Sequence, residues 1–346
     1  QALATALSAG DIYEQRMLEI HLLNEDFLRG RFDSASRRVA SLAKVGMQGD
    51  ISAWLSSYEA IILAQGGRLA MAESVLNQSE KRDREENPGQ DHSEAASRFA
   101  CVRADLRLAM GDMQRARQNW KTCGAPESPS SRLQAKIGNA TVDLAAGNRD
   151  TAREQLLAAQ KEVAQLPDGP DRWSTELWVA TSLTRAGDAA TAERMLLRIL
   201  PLARATQYEW MIAITETALA ETAATRGDWK AVKEHAAAAR KLGLAGIWTL
   251  SNRLDVLDAI SAIREGDNPR ALRILANVHA QAIRNNDVIS QLEVQSLLPP
   301  GMPIGECNER CQSALVASTG LRGATMDWLV VPAKVDTKAL LQRNIQ

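Results

Sequence analysis

The sequence predicts an all-α protein: a right-handed superhelical α-solenoid of about seven helix-turn-helix repeats, followed by a capping helix and an irregular tail. Three observations predict it. Glycines recur at 30, 67, 111, 147, 187, 227 and 266, at intervals of 37, 44, 36, 40, 40 and 39 residues. Small residues keep step with them. The fifth residue after each glycine is Ala35, Ala72, Ala116, Ala152, Ala192, Val232 and Ala271, and the seventh before it is Leu23, Ala60, Ala104, Ala140, Ala180, Ala220 and Ala259. Each interval also carries two apolar-periodic stretches, for example WSTELWVATSLTRAG and then DAATAERMLLRILPLAR. That is the spacing of amphipathic helices, repeated at a fixed period.

Each part of the unit has a physical reason. A helix that must stop and turn back ends on a residue free to take left-handed backbone angles, and Gly does so without strain. Asp or Asn beside it, as in Gly187-Asp188, caps the next helix by accepting from its unpaired N–H groups. Two antiparallel helices approach closely only where both side chains at the crossing are small, which accounts for the alanines before and after the turn. The stretched 44-residue interval is assigned to a charged loop, KRDREENPGQDHSE, at 81–94, and shorter loops are expected at 123–131 and 166–172. After the seventh turn, NNDVISQLEVQSLL reads as an eighth first helix that caps the stack. PPGMP, 299–303, ends the pattern, so the chain divides into a solenoid, 1–298, and a tail, 299–346. The tail is expected to hold a short helix near Cys311 and an extended apolar run, MDWLVVP, at 326–332.

The small residue of the first helix, the Gly-Asp turn and the Ala of the second helix together resemble the tetratricopeptide repeat over about residues 10–285. Units near 40 residues exceed that family's usual length and are more similar to the repeats of MalT-like regulators and kinesin light chains. The aromatic after the turn is kept only in Phe32 and Trp229. The resemblance implies that first helices line a concave groove. Its groove positions map to Trp54, Arg98, Asp105, Gln134, Thr141, Thr181, Thr184, Arg185, Thr217, Glu221, Arg253 and Arg264. This polar, mixed-charge lining suits an extended peptide or a partner helix, and reversal of charge at Arg185 together with Glu221→Lys is expected to weaken binding without unfolding. The Lys and Asn pair of a carboxylate clamp is missing: Cys101 with Asp105, then Ile137 with Thr141, stand at those positions.

Composition narrows the function classes. The 346 residues are 45% hydrophobic and only 4% aromatic, with a net charge of −1, so nothing points to a polyanionic partner, and no nucleic-acid contact is expected. No apolar run has the length of a membrane span. The chain starts at Gln1 with no Met and no leader-like segment, as expected of a processed protein or a piece of a longer one with flanking domains. Nucleotide-loop, metalloprotease and nucleophile-elbow motifs are absent, and His21, His92, His235 and His279 lack ligand spacing. No cofactor, metal or catalytic residue is expected.

Cys101 and Cys123 fall inside amphipathic patterns and read as small buried hydrophobes. Cys307 and Cys311, in the polar segment GECNERCQ, fit a disulfide in an oxidising compartment. The expected location is therefore the bacterial cytoplasm, or the periplasm if either of these is oxidised. Of the later tryptophans, Trp173, Trp178 and Trp229 read as inter-helix core, whereas Trp210 and Trp248, near the starts of first helices, are the two expected at a surface. The leading functional expectation is a non-catalytic scaffold that binds a protein or peptide in its groove. A ligand-sensing arm of a larger MalT-like regulator comes second, and an accessory domain of an enzyme third.

Overall fold

The computed structural model describes residues 12–44, 50–86, 88, 93–124, 129–243, 246–299, 302, 304 and 337–343. Cys307, Cys311, the short helix expected near them and the run 326–332 lie outside the described residues. The rest is helix upon helix. First helices are α1 (Ile12–Leu28), α3 (Asp50–Gln65), α5 (Ser93–Ala109), α7 (Pro129–Ala145), α9 (Pro170–Arg185), α11 (Glu209–Arg226) and α13 (Trp248–Glu265). They alternate with second helices α2 (Phe32–Lys44), α4 (Leu69–Glu86), α6 (Met113–Cys123), α8 (Arg149–Val163), α10 (Ala189–Thr206), α12 (Trp229–Arg240) and α14 (Asn268–Asn285). The cap is α15 (Val288–Leu297), and α16 (Thr337–Arg343) follows in the tail.

The turn chemistry works as the residue types require. All seven turn glycines have positive φ, from 72° at Gly30 to 90° at Gly187, and at Gly187 the amide of the next residue, Asp188, donates back to Leu183 O at 2.9 Å. Asp112, Asp188, Asp228, Asp267 and Asp287 each accept from the backbone N–H three residues on, at 3.0–3.2 Å. Asn148 makes no such bond. Both sets of in-step alanines have 0% exposure, from Ala35 and Ala60 to Ala259 and Ala271. They are the crossing points of antiparallel helices.

Two local expectations are corrected. The charged segment 81–94 is not all loop: α4 runs on to Glu86, held by i,i+4 pairs Arg84–Glu80 and Lys81–Glu85. Charged residues four apart favour helix, so the stretched interval is taken up in part by a longer α4 and not by loop alone. Cys101 and Cys123 are not separate hydrophobes but a disulfide, with Cα atoms 4.8 Å apart, joining α5 to the end of α6. Helical spacing placed both inside the core, and antiparallel pairing within one repeat brought them together. Replacing both by Ser is expected to cost about 3 kcal/mol, from the conformational freedom regained by the unfolded chain between them. Urea unfolding of the oxidised protein against the double variant measures it.

First helices pack on first helices, α3 on α5, α5 on α7, α7 on α9, α9 on α11 and α11 on α13, whereas second helices make no comparable contact with one another. The first helices therefore form the inner layer. The stack also meets itself. Helix α1 touches α11, α3 touches α13 and α5 touches α15, each five repeats further on. The turn ends of early repeats abut the starting ends of late ones. Phe27 lies 4.8 Å from Trp210 between ring centroids, Tyr208 donates to Glu25 at 3.2 Å, and Thr249 donates to Gln65. At Gly67 a β-carbon would stand 2.3 Å from Asn285 Nδ2, so only Gly permits this approach. Leu292 packs with Leu108, Met113 and Ala145.

Trp248 belongs to this junction and not to an open surface, whereas Trp210, also at the junction, keeps partial exposure. Trp248 is 5% exposed and donates its indole N–H to Asp287 at 2.7 Å. Helix α11, at the centre, is enclosed almost all round: from Met211 to Ala224 only Ile212 and Ile214 retain appreciable exposure. In the tail, Thr337 donates to Leu297 O at 3.0 Å and α16 packs on α13 with Leu341 buried.

Candidate functional site

Because the stack meets itself, the first helices surround a chamber of about 780 Å³. Its walls come from α1, α3, α5, α7 and α9, and Trp210 of α11 contributes from the returning end. One wall is aromatic. Phe27, Trp54, Tyr58 and Trp210 line it, with Trp54 and Tyr58 centroids 4.2 Å apart and Phe27 edge-on to Tyr58 at 5.9 Å. Asn24 accepts from the Tyr58 hydroxyl at 2.7 Å and fixes that ring. The opposite wall is polar, with serines at the starts of α5, α7 and α9 and the side chain of Gln134. Its charged groups are Glu94, Arg98 and Asp171, with Arg98 Nη2 3.7 Å from Glu94. Burial, reinforced by the Asp171 charge, raises the Tyr58 hydroxyl pKa, so the ring stays a neutral donor.

A second polar region links α9, α11, α13 and α15. Glu221, 2% exposed, receives Arg253 Nε at 2.6 Å and a second guanidinium N–H, while Arg185 stands 4.0 Å away. Burial pushes the Glu221 carboxyl up, but Arg253 and Arg185 outweigh it and hold the pKa below the usual range. Asp287 accepts from Trp248 and, at 2.6 Å, from Ser290, whose oxygen accepts from Asn252 at 2.6 Å. Glu293 is 5% exposed. Burial pushes its pKa up to about 7, opposed by Arg185 and Arg253 and assisted by Glu221 and Asp287.

Glu293 sets a pH dependence with a definite sign. Its folded pKa lies above its unfolded value near 4.5, so between about 4.5 and 7 the folded state binds more protons and stability falls as pH rises. Below that window Glu221, Glu216 and Asp26, whose pKa values are lowered, take up protons and stability is lost again. Glu293→Gln is expected to reduce the upper slope, to which Asp287 with its raised pKa also contributes, and to leave the acid limb. Unfolding free energies measured from pH 4 to 8 check this.

No protein-family model matches the sequence, and no curated protein matches it. In three dimensions the chain is similar to the crystal structure of a Rap protein complexed with Competence and Sporulation Factor. The TM-score is 0.59 over 89% of this chain and 88% of that one, at 14% identity. The fold is a tetratricopeptide-like helical repeat.

Within this tetratricopeptide-like frame the sequence-derived groove positions separate. Trp54, Arg98 and Gln134 line the chamber together. Asp105 is exposed to solvent and does not line the chamber. Thr141 and Thr181 keep partial exposure and donate to Ile137 O and Leu177 O of their own helices. Arg185 and Arg253 belong to the ion-pair region. Arg264 lies over the Trp229 ring at 5.5 Å, beside the start of a second helix.

Three groove assignments are corrected. Thr184 and Thr217 have 0% exposure, and Glu221 2%. Thr184 is bonded to Thr222 at 2.9 Å between α9 and α11, and Thr217 donates to Ala213 O. No partner reaches these atoms, because each first helix is covered by the next and α11 also by α1. For the same reason Glu221 reversal is expected to disturb the fold as well as any binding. Conversely, Tyr58 and Phe27 line the chamber without having been singled out, and Trp210, which was expected at a surface, lines it with them. The Trp54 and Tyr58 spacing, one turn apart on a first helix, carried that signal. Among the described residues no three His, Cys, Asp or Glu side chains stand close enough to hold a metal, and no helix is long and apolar enough to cross a membrane.

Proposed function

We propose that the inner chamber holds a short peptide and that the protein acts as a non-catalytic binding module. The observation that carries this reading is the chamber itself: about 780 Å³, aromatic on one wall and rich in hydroxyl and amide groups on the other. That volume lies within the range of small-ligand sites and is far below what a folded partner needs. Aromatic faces hold apolar side chains, and the polar wall offers partners for peptide N–H and C=O groups. The reading treats 1–298 as the binding solenoid and 299–346 as its tail, with Trp54, Arg98 and Gln134 as the sequence-legible contacts.

The fold neighbour supports a second form of the same reading. That Rap protein is complexed with Competence and Sporulation Factor, which is consistent with a sensory arm of a signalling protein. The Cys101–Cys123 disulfide favours an oxidising compartment.

Affinity selection from a library of randomised short peptides tests the proposal, with tryptophan fluorescence to measure each hit. Trp54→Ala combined with Gln134→Ala is expected to weaken binding at least about tenfold, as loss of a central aromatic contact does elsewhere, without moving the urea midpoint by much. Recovery of no peptide that distinguishes this variant from wild type would overturn the assignment.

A further inference from the structure

Cys101 lines the chamber, whereas Cys123, its disulfide partner, has 0% exposure behind it. The two residues joined by this bond therefore differ in access. Arg98 stands three residues before Cys101 on the same face of α5 and lines the same chamber. Behind the bond, the Cys123 sulfur lies 3.8 Å from Ser131 O. In the disulfide this sulfur carries no hydrogen, so the contact is only van der Waals. In the reduced form the same carbonyl becomes an acceptor for the Cys123 S–H. Ser97 donates to Cys123 O at 2.8 Å and ties the two helices independently of the sulfur bridge. Both oxidation states thus have partners in one backbone arrangement.

We propose that Cys101–Cys123 is a thiol–disulfide exchange site that opens into the chamber and reacts with low-molecular-weight thiols. A small thiolate attacks the Cys101 sulfur from the chamber side. The Cys101–Cys123 bond breaks, and a mixed disulfide forms on Cys101. Cys123 leaves as thiolate and takes a proton from solvent, giving an S–H that faces Ser131 O. A second small thiolate attacks the outer sulfur of the mixed disulfide and releases the oxidised small disulfide, with Cys101 leaving as thiolate. Two small thiols are oxidised as one protein disulfide is reduced, and the reverse sequence closes the bond again. Among the charged groups lining the chamber, Glu94 and Asp171 oppose a thiolate at Cys101 and Arg98, one turn away but 3.7 Å from Glu94, favours it.

The test treats the folded, oxidised protein with 2-mercaptoethanol, then quenches in acid and maps adducts by mass spectrometry. Mixed disulfide on Cys101, in excess over Cys123 by about tenfold or more, with a rate unchanged by sub-denaturing urea, is the expected result. Adduct on Cys123, or a rate that climbs with urea as global unfolding does, overturns the proposal and makes the bond a structural staple. In a Cys123→Ser protein, the pH midpoint for alkylation of Cys101 by iodoacetamide is expected to rise when Arg98→Gln is added. An unchanged midpoint removes Arg98 from the mechanism. The adduct map needs only the wild-type chain, so it decides the matter even if that variant folds poorly.

Discussion

Glu221→Lys is expected to destabilise the protein by about 3–5 kcal/mol, the cost of leaving buried charges without their partners. The total stability of a folded domain is about 5–15 kcal/mol, so the variant is expected to be largely unfolded at moderate urea. Three observations set this magnitude. The carboxylate is 2% exposed. It receives two N–H groups of Arg253. A lysine there would face both Arg253 and Arg185 with no anion between them. Glu221→Gln keeps the shape and some hydrogen bonding while removing the charge, so it is expected to fall between wild type and Glu221→Lys. Urea unfolding monitored by circular dichroism measures all three. A Glu221→Lys protein with the wild-type midpoint would show that the α9–α11–α13 contact is open to solvent.

Trp248→Ala is expected to lose about 3–5 kcal/mol by cavity formation alone, and somewhat more because Asp287 loses its indole donor. Here the effect also reaches the shape of the molecule. Trp248 begins α13, bonds to the first residues of the cap, and packs close to Gly67 across the junction of early and late repeats. Its loss is expected to loosen that junction, and small-angle scattering should report a larger radius of gyration before unfolding. Trp248→Phe separates the two causes, since it retains most of the packing and removes only the N–H. A Trp248→Ala protein of wild-type dimensions would mean that the remaining contacts, such as Phe27 on Trp210, hold the junction unaided.

Most of the local architecture was legible in residue types. The turn glycines, the Asp caps and the in-step alanines each satisfy a requirement that acts over a few residues, so a single chain displays them. The cap helix α15 was visible for the same reason, as another helical pattern after another turn. The site was legible only in part. Trp54, Arg98 and Gln134 were found because first-helix positions that face inward recur with the repeat. Thr184, Thr217 and Glu221 occupy like positions yet are buried, because in the later repeats each first helix is covered by the next, Thr184 by Thr222 of α11 and Glu221 by Arg253 of α13. The same blind spot hid the burial of Trp248, whereas the pairing of Cys101 with Cys123, within one repeat, was hidden because helical spacing marks core positions without saying which of them meet.

By itself the sequence determined that this chain is a stack of helix pairs, where each pair turns, and which small residues let the helices touch. These are short-range matters of backbone angle, capping and side-chain size. The tertiary structure alone decided that the stack returns on itself after five repeats and encloses a chamber. Small rotations between successive units add along the solenoid, and no single repeat contains their sum.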